Sequence, residues 1–166
     1  MNTKTLTRTA ILIALLIALQ AATRPLANQF ITGSCVNLVL AVAAMLCGVW
    51  SGVIVAIVSP FFAYFLGISP QLWLAPAIAC GNAVLVVILA LLGGKAGKAS
   101  GVVSVVVAAV CKFVVLYAVV VKLFIPMGNL PAKVAAQFSW PQLVTALIGG
   151  FLALAIVPTI KKALKE

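Results

Sequence analysis

From Cys35 to Ile68 the sequence runs CVNLVLAVAAMLCGVWSGVIVAIVSPFFAYFLGI, apolar almost throughout. As a single α-helix this stretch would extend about 50 Å, well past the roughly 30 Å hydrocarbon core of a bilayer. It therefore has to turn back once. Gly48-Val49-Trp50-Ser51-Gly52 is the best-placed corner, which gives a short helix over 35–47 and a second over 49–66, bent near Ser59-Pro60.

The rest of the chain divides by the same reasoning. An opening apolar run predicts a helix over 6–22, ended by Arg24-Pro25. Further spans are expected over 72–92, with Pro76 in its first turns, over 102–125, and over 143–160, closed by Pro158 and the basic tail Lys161-Lys162-Ala163-Leu164-Lys165. Between them lie a polar loop from Arg24 to Ser34, a turn at 67–71 containing Pro70, a basic glycine-rich loop at 93–101, and a loop from Pro126 to Pro141 with Asn129, Lys133, Gln137 and Trp140. The expected fold is an all-α integral membrane protein, six transmembrane helices in one compact bundle forming a single domain over 1–166.

Composition supports that class, since 66% of the residues are hydrophobic and only 7% charged, and the mean hydropathy is +1.34. Such values lie far outside soluble norms. The formal charge of +10 arises from 11 Lys and Arg against one acid, Glu166. In a soluble chain that balance would suggest nucleic acid; here it sets topology. With six spans, one side collects Lys4, Arg8, Lys95, Lys98, Lys161, Lys162 and Lys165, and the other side only Arg24 and Lys133. Both termini are thus expected in the cytoplasm, with the two longer polar loops outside.

Lys4 and Arg8 ahead of an apolar run also resemble a secretory signal, and Ala18-Leu19-Gln20 or Leu19-Gln20-Ala21 loosely imitates a cleavage region. A retained helix is expected instead, because Ala10, Ala14, Ala18 and Ala22 form a smooth stripe that would otherwise have no purpose. In lipid, such a small-residue ladder suits close helix packing. Gly48, Gly52 and Ala56, then Ala75, Ala79 and Ala83, then Ala146 and Gly150 form similar ladders, so spacing alone leaves open whether the partner is internal or another protein.

Absent residue types exclude most chemistry. There is no His and no Asp, so carboxylate pairs, Ser-His-Asp or Cys-His arrangements and the usual zinc or hard-cation ligand sets cannot be assembled. No metal or cofactor is expected. Intramembrane proton relays of Asp, Glu or His are equally missing, so a transporter built this way does not energise itself. Cys35, Cys47, Cys80 and Cys111 are scattered singly and read as small hydrophobes. The run Gly93-Gly94-Lys95-Ala96-Gly97-Lys98-Ala99-Ser100-Gly101 superficially imitates a phosphate loop, but Gly97-Lys98 is followed by Ala99, not Ser or Thr, and no strand precedes it.

Six polar residues are candidates for a substrate site. Lys112 lies near the middle of its span and no acid can neutralise it; it either faces the bundle interior toward an anionic ligand, or snorkels and packs on carbonyl oxygens. Asn82, mid-span in an antiparallel helix, falls at a similar depth, and Gln71 precedes it by three helical turns. Asn82 forms a polar wall with them or merely clamps the bundle. Arg24, Asn37 and Lys122 add polar groups toward the outer side. Trp73, Trp140 and Tyr64 at that interface serve as belt anchors or ligand platforms, and Trp50 at the opposite corner as an anchor.

In layout the whole chain resembles the substrate-binding S components of energy-coupling factor (ECF) transporters, the vitamin-uptake systems of bacteria and archaea. The features concerned are the small six-helix plan, basic cytoplasmic ends, Ala14-x-x-x-Ala18 in the first helix, the polar loop directly after it, and Gly33-Ser34-Cys35-Val36-Asn37 leading into the Gly48 to Gly52 corner. The resemblance implies a non-enzymatic subunit of a prokaryotic cell membrane that binds one small-molecule micronutrient from outside, with the loop after the first helix as a lid. A separate transmembrane coupling protein and two ATPase subunits would supply the energy, and the face carrying Ala14 and Ala18 would meet the coupling protein. The cations at Arg24, Lys112 and Lys122 tilt the expected ligand toward an anionic or carboxylate-bearing compound. Two rivals are a self-sufficient facilitator or channel, which would equilibrate its solute alone, and a non-transporting membrane scaffold, which would bind no vitamin.

Overall fold

The computed structural model describes residues 3–69, 71–93, 98–128 and 132–164, and these are helical almost throughout. Five helical stretches are long and apolar enough to cross a membrane: Thr3–Leu26, Gln29–Phe65, Leu72–Leu92, Ser100–Phe124 and Val134–Ala163. The elements are α1 (Thr3–Thr23), α2 (Gln29–Phe65), α3 (Ala75–Leu92), α4 (Lys98–Leu116) continuing as a π-helix over Tyr117–Phe124, the short α5 (Ile125–Gly128) and α6 (Ala132–Gln137), and α7 (Trp140–Ala163).

The apolar run from Cys35 to Ile68 falls in α2 up to Phe65, and its corner is a single residue. Gly48 has φ 82° and ψ −172°, a left-handed value that a side chain would strain. Helix continues on either side of it, yet a Cβ built on Gly52 would lie 3.4 Å from the backbone of Ala44. Positions eight apart along one straight helix are separated by about 12 Å, so the chain folds back at Gly48. The two halves of α2 lie against each other there.

Loop expectations are corrected at three places. The predicted loop from Arg24 to Ser34 shrinks to a 3₁₀ turn, Arg24–Leu26, and two residues, because Asn28 caps α2 by accepting from the N–H groups of Phe30 (2.9 Å) and Ile31 (3.4 Å). Such a cap satisfies amides that a helix start leaves open. The predicted loop from Pro126 to Pro141 is largely helical, and α7 begins at Trp140 with Pro141 in its first turn, where a missing N–H does no harm. The glycine-rich loop is shorter than predicted, since α4 begins at Lys98. Pro70, Gly94, Lys95, Ala96, Gly97, Asn129, Lys165 and Glu166, named above, lie outside the described residues.

One large core joins α1, both halves of α2, α3, α4 and α7 through Leu16, Leu40, Val55, Val86, Val105 and Ala146, among others. A smaller cluster of Leu74, Ala77, Leu116, Val120, Val134 and Phe138 fills the end where the π-helix and α6 meet α3. In α1 the buried residues are Thr9, Leu12, Leu16, Gln20 and Thr23, spaced three and four apart along one face. Ala10, Ala14, Ala18 and Ala22 lie off that face and are exposed.

Candidate functional site

Two close helix crossings bring three polar side chains together. A Cβ on Gly149 would lie 2.5 Å from the backbone nitrogen of Leu38 and 2.7 Å from the Cβ of Asn37, so α7 touches α2 backbone to backbone beside Asn37. On the other side, a Cβ on Gly81 would lie 2.6 Å from Leu116, so α3 and α4 are pressed together next to Asn82. Glycine permits both approaches by lacking a side chain.

Lys112 of α4 points into the space between these crossings. Its Nζ donates to Asn37 Oδ1 at 2.5 Å and to Asn82 Oδ1 at 2.7 Å, and the residue is only 2% exposed. Asn37 is held in turn by α7, its Nδ2 donating to Thr145 Oγ1 at 3.2 Å while the Thr145 hydroxyl donates to the Gln142 carbonyl at 3.2 Å. Both partners of the ammonium are neutral amide oxygens, and no acidic side chain occurs among the described residues. A cation at this depth costs about 2.5–3.5 kcal/mol on insertion scales. Two charge-assisted hydrogen bonds offset part of that and leave the net charge in place.

Because an ammonium can only donate, both amide orientations follow from chemistry. Asn82 Oδ1 must face Lys112, which turns its Nδ2 away. That Nδ2 is buried with no protein partner. Gln20 of α1 is fixed in the same way: its Nε2 donates to the Ser59 carbonyl at 3.3 Å, so its Oε1 is the atom left buried and unpartnered, as is Ser69 Oγ. An unmatched buried polar group costs about 1–3 kcal/mol.

Asn82, Lys112, Gln20 and Ser69 all line one cavity of about 430 Å³, together with Arg24, Asn28, Gln29, Thr32, Asn37, Ser59, Gln137 and Gln142 and apolar groups including Val36, Pro60, Ala63, Ile68, Ile78 and Phe138. That volume lies in the lower part of the range for small-molecule sites. At its rim the Arg24 guanidinium lies against Gly67, where a Cβ would come within 3.2 Å of it. Gln29 Nε2 donates to the Gln137 carbonyl at 2.6 Å, and Gln142 Nε2 to the same oxygen at 3.3 Å, tying the start of α2 to the α6–α7 junction.

Of the six residues singled out in the sequence, Arg24, Asn37, Asn82 and Lys112 share this cavity, and Gln71 and Lys122 do not line it. Gln71 is in extended conformation, φ −144° and ψ 127°, ahead of the turn Leu72–Leu74. It is not part of the helix that carries Asn82, so counting helical turns between them fails. Lys122 sits in the π-helix, whose wider turn breaks the α-helical register after Leu116; it is exposed and lies over the Tyr117 ring at 5.8 Å. Trp140 and Trp73 pair with Phe30 and Phe124 and, like Tyr64, do not line the cavity.

Sequence reasoning passed over Gln20, Ser59, Ser69 and Gln142. Gln20 could have been found, since it continues the Leu12, Leu16 series at four-residue spacing and so belongs to the buried face of α1.

Neither a curated protein nor a solved structure shows significant similarity to the chain. The profile of one family, described as the ECF transporter substrate-specific component, matches residues 4–161. With nearly the whole length covered, an all-helical apolar fold and a polar cavity sunk into it, this chain belongs to the substrate-specific components of ECF transporters.

Proposed function

We propose that this protein captures an anionic or carboxylate-bearing micronutrient of the vitamin type in the Lys112 cavity and delivers it when a separate coupling protein and two ATPases act on it. Members of this family are non-enzymatic transporter subunits that bind a small substrate and work with such partners. The observation that carries the ligand reading is Lys112 itself, a buried cation held by neutral amides on the wall of a cavity. A bound anion supplies the charge that those amides lack.

The chain crosses the membrane six times, counting α2 as two spans folded at Gly48, and both termini are cytoplasmic. The bias of cations toward one side supports that orientation, and the cavity then opens outward, between Arg24 and the α6–α7 junction. Arg24, Asn37, Asn82 and Lys112 bind substrate. Inward of them, Leu40, Leu85, Val86, Leu89, Val105 and Ala108 are each 1% exposed or less. That packing favours a one-sided binding site over a pore, which requires a continuous polar path.

The coupling protein docks on Ala10, Ala14, Ala18 and Ala22, whose exposure on α1 supports a partner outside the bundle. Reconstitution in liposomes tests the reading. Uptake of the bound solute should require the coupling protein, the ATPases and ATP, whereas equilibration by this chain alone would make it a facilitator.

A further inference from the structure

The unpartnered atoms of the cavity wall describe the ligand's complement. Resting on the substrate-binding role above, we infer that the ligand is an aliphatic carboxylic acid that also carries hydroxyl or amide N–H donors, and not an aromatic heterocycle. Two donors are available around Lys112 and the residue it bonds: the ammonium, which has three N–H bonds and spends two on Asn37 and Asn82, and the Asn82 Nδ2, which is turned away from the ammonium and has no protein partner. Lys112 and Asn82 are 2% and 1% exposed, so neither has a substitute partner in bulk water. A charged donor and a neutral donor on the residue it bonds can each take one oxygen of a carboxylate.

Elsewhere on the same wall Gln20 supplies a free atom of the opposite kind. Gln20 Oε1 can only accept, because the Ser59 carbonyl holds the amide nitrogen, and the Ser69 hydroxyl, which can accept or donate, is likewise unpartnered on a residue of the lining. Gln20 Oε1 calls for a ligand donor, an O–H or N–H, in addition to the acid group. The lining contains one aromatic side chain among the described residues, Phe138. Flat ring systems gain affinity by stacking on aromatic faces, and the Phe30–Trp140 and Trp73–Phe124 pairs, which could have offered them, are spent on each other. An aliphatic body fits the remaining Val, Ile, Ala and Pro surface.

Titration calorimetry on the intact purified protein in nanodiscs tests this with named probes. Three are acids of the inferred class, pantothenate, biotin and gluconate; three are controls, panthenol as the neutral isostere of pantothenate, nicotinate as an aromatic acid, and thiamin as a cation. At least one of the three acids should bind about tenfold or more tighter than every control. In Lys112→Gln, pantothenate and panthenol should bind alike; if that variant does not fold, the same pair on the unaltered protein carries the comparison.

Preference for nicotinate or thiamin, or panthenol binding as well as pantothenate, would overturn the ligand class while leaving the substrate-binding role intact. Silence from all six probes would also overturn it. Mass spectrometry of molecules carried through purification then separates the two failures: a retained compound of another class spares the substrate-binding role, and the absence of any retained compound counts against it.

Discussion

Small residues at four-residue spacing occur in four helices, with one outcome in three of them and the opposite outcome in the first. Gly52 and Ala56, Ala75 and Ala79, and Ala146 and Gly150 are buried, whereas Ala10, Ala14, Ala18 and Ala22 are all exposed. The pattern is the same and the neighbours differ. In α1 a second series on another face, Leu12, Leu16 and Gln20, takes the place in the core, so the alanines have nothing internal left to meet. In α7 the glycines are themselves the contact, Gly149 against the backbone of α2 and Gly150 against Val105. Small-residue spacing therefore marks close approach without saying to what, and the opposite face of the helix decides.

Substitutions that enlarge each ladder should separate the two. The largest loss of stability is expected for Gly149→Leu, since its Cβ alone would lie 2.5 Å from the Leu38 nitrogen and backbone cannot step aside. Overpacking of this kind costs about 1–3 kcal/mol, here at the upper end, and thermal unfolding in detergent should show a clearly lowered midpoint. Gly81→Ala should lose less, about 1–2 kcal/mol, because the added Cβ meets the Leu116 side chain and not backbone. Thr145→Val should also lose about 1 kcal/mol by releasing Asn37 Nδ2, and it should weaken ligand binding as well, since Asn37 orients Lys112. The smallest change is expected for Ala14→Leu, within about 0.5 kcal/mol of the unaltered protein; an unfolding midpoint shifted as far as that of Gly149→Leu would erase the contrast.

The same contrast explains what could be read from the sequence. The long apolar helices were legible because length and apolarity decide them, and the fold-back at Gly48 because a run from Cys35 to Ile68 outreaches the bilayer. Lys112 and Asn82 were legible as intramembrane polar groups of matching depth. Helix starts were less so: Asn28 turns an expected loop into the first turn of α2, and a cap is a local hydrogen bond that composition does not weigh. Gln71 was placed by counting helical turns although it precedes its helix, and Lys122, placed at the outer end of its span, lies within the π-turns, which shift the α-helical register. Gln20 was harder to read because it shares α1 with the alanine ladder and polarity alone does not assign it a face, although its spacing from Leu12 and Leu16 places it on the buried one.

The most direct measurement is made on one protein, the double variant Ala14→Leu, Ala18→Leu, assayed in parallel for ligand affinity in nanodiscs and for ATP-driven uptake with its partners in liposomes. Affinity unchanged with uptake abolished is the expected result, since the binding cavity and the exposed ladder use different faces of α1. Uptake at the level of the unaltered protein would mean that the ladder faces only lipid, and loss of both binding and fold would return it to the interior of the bundle.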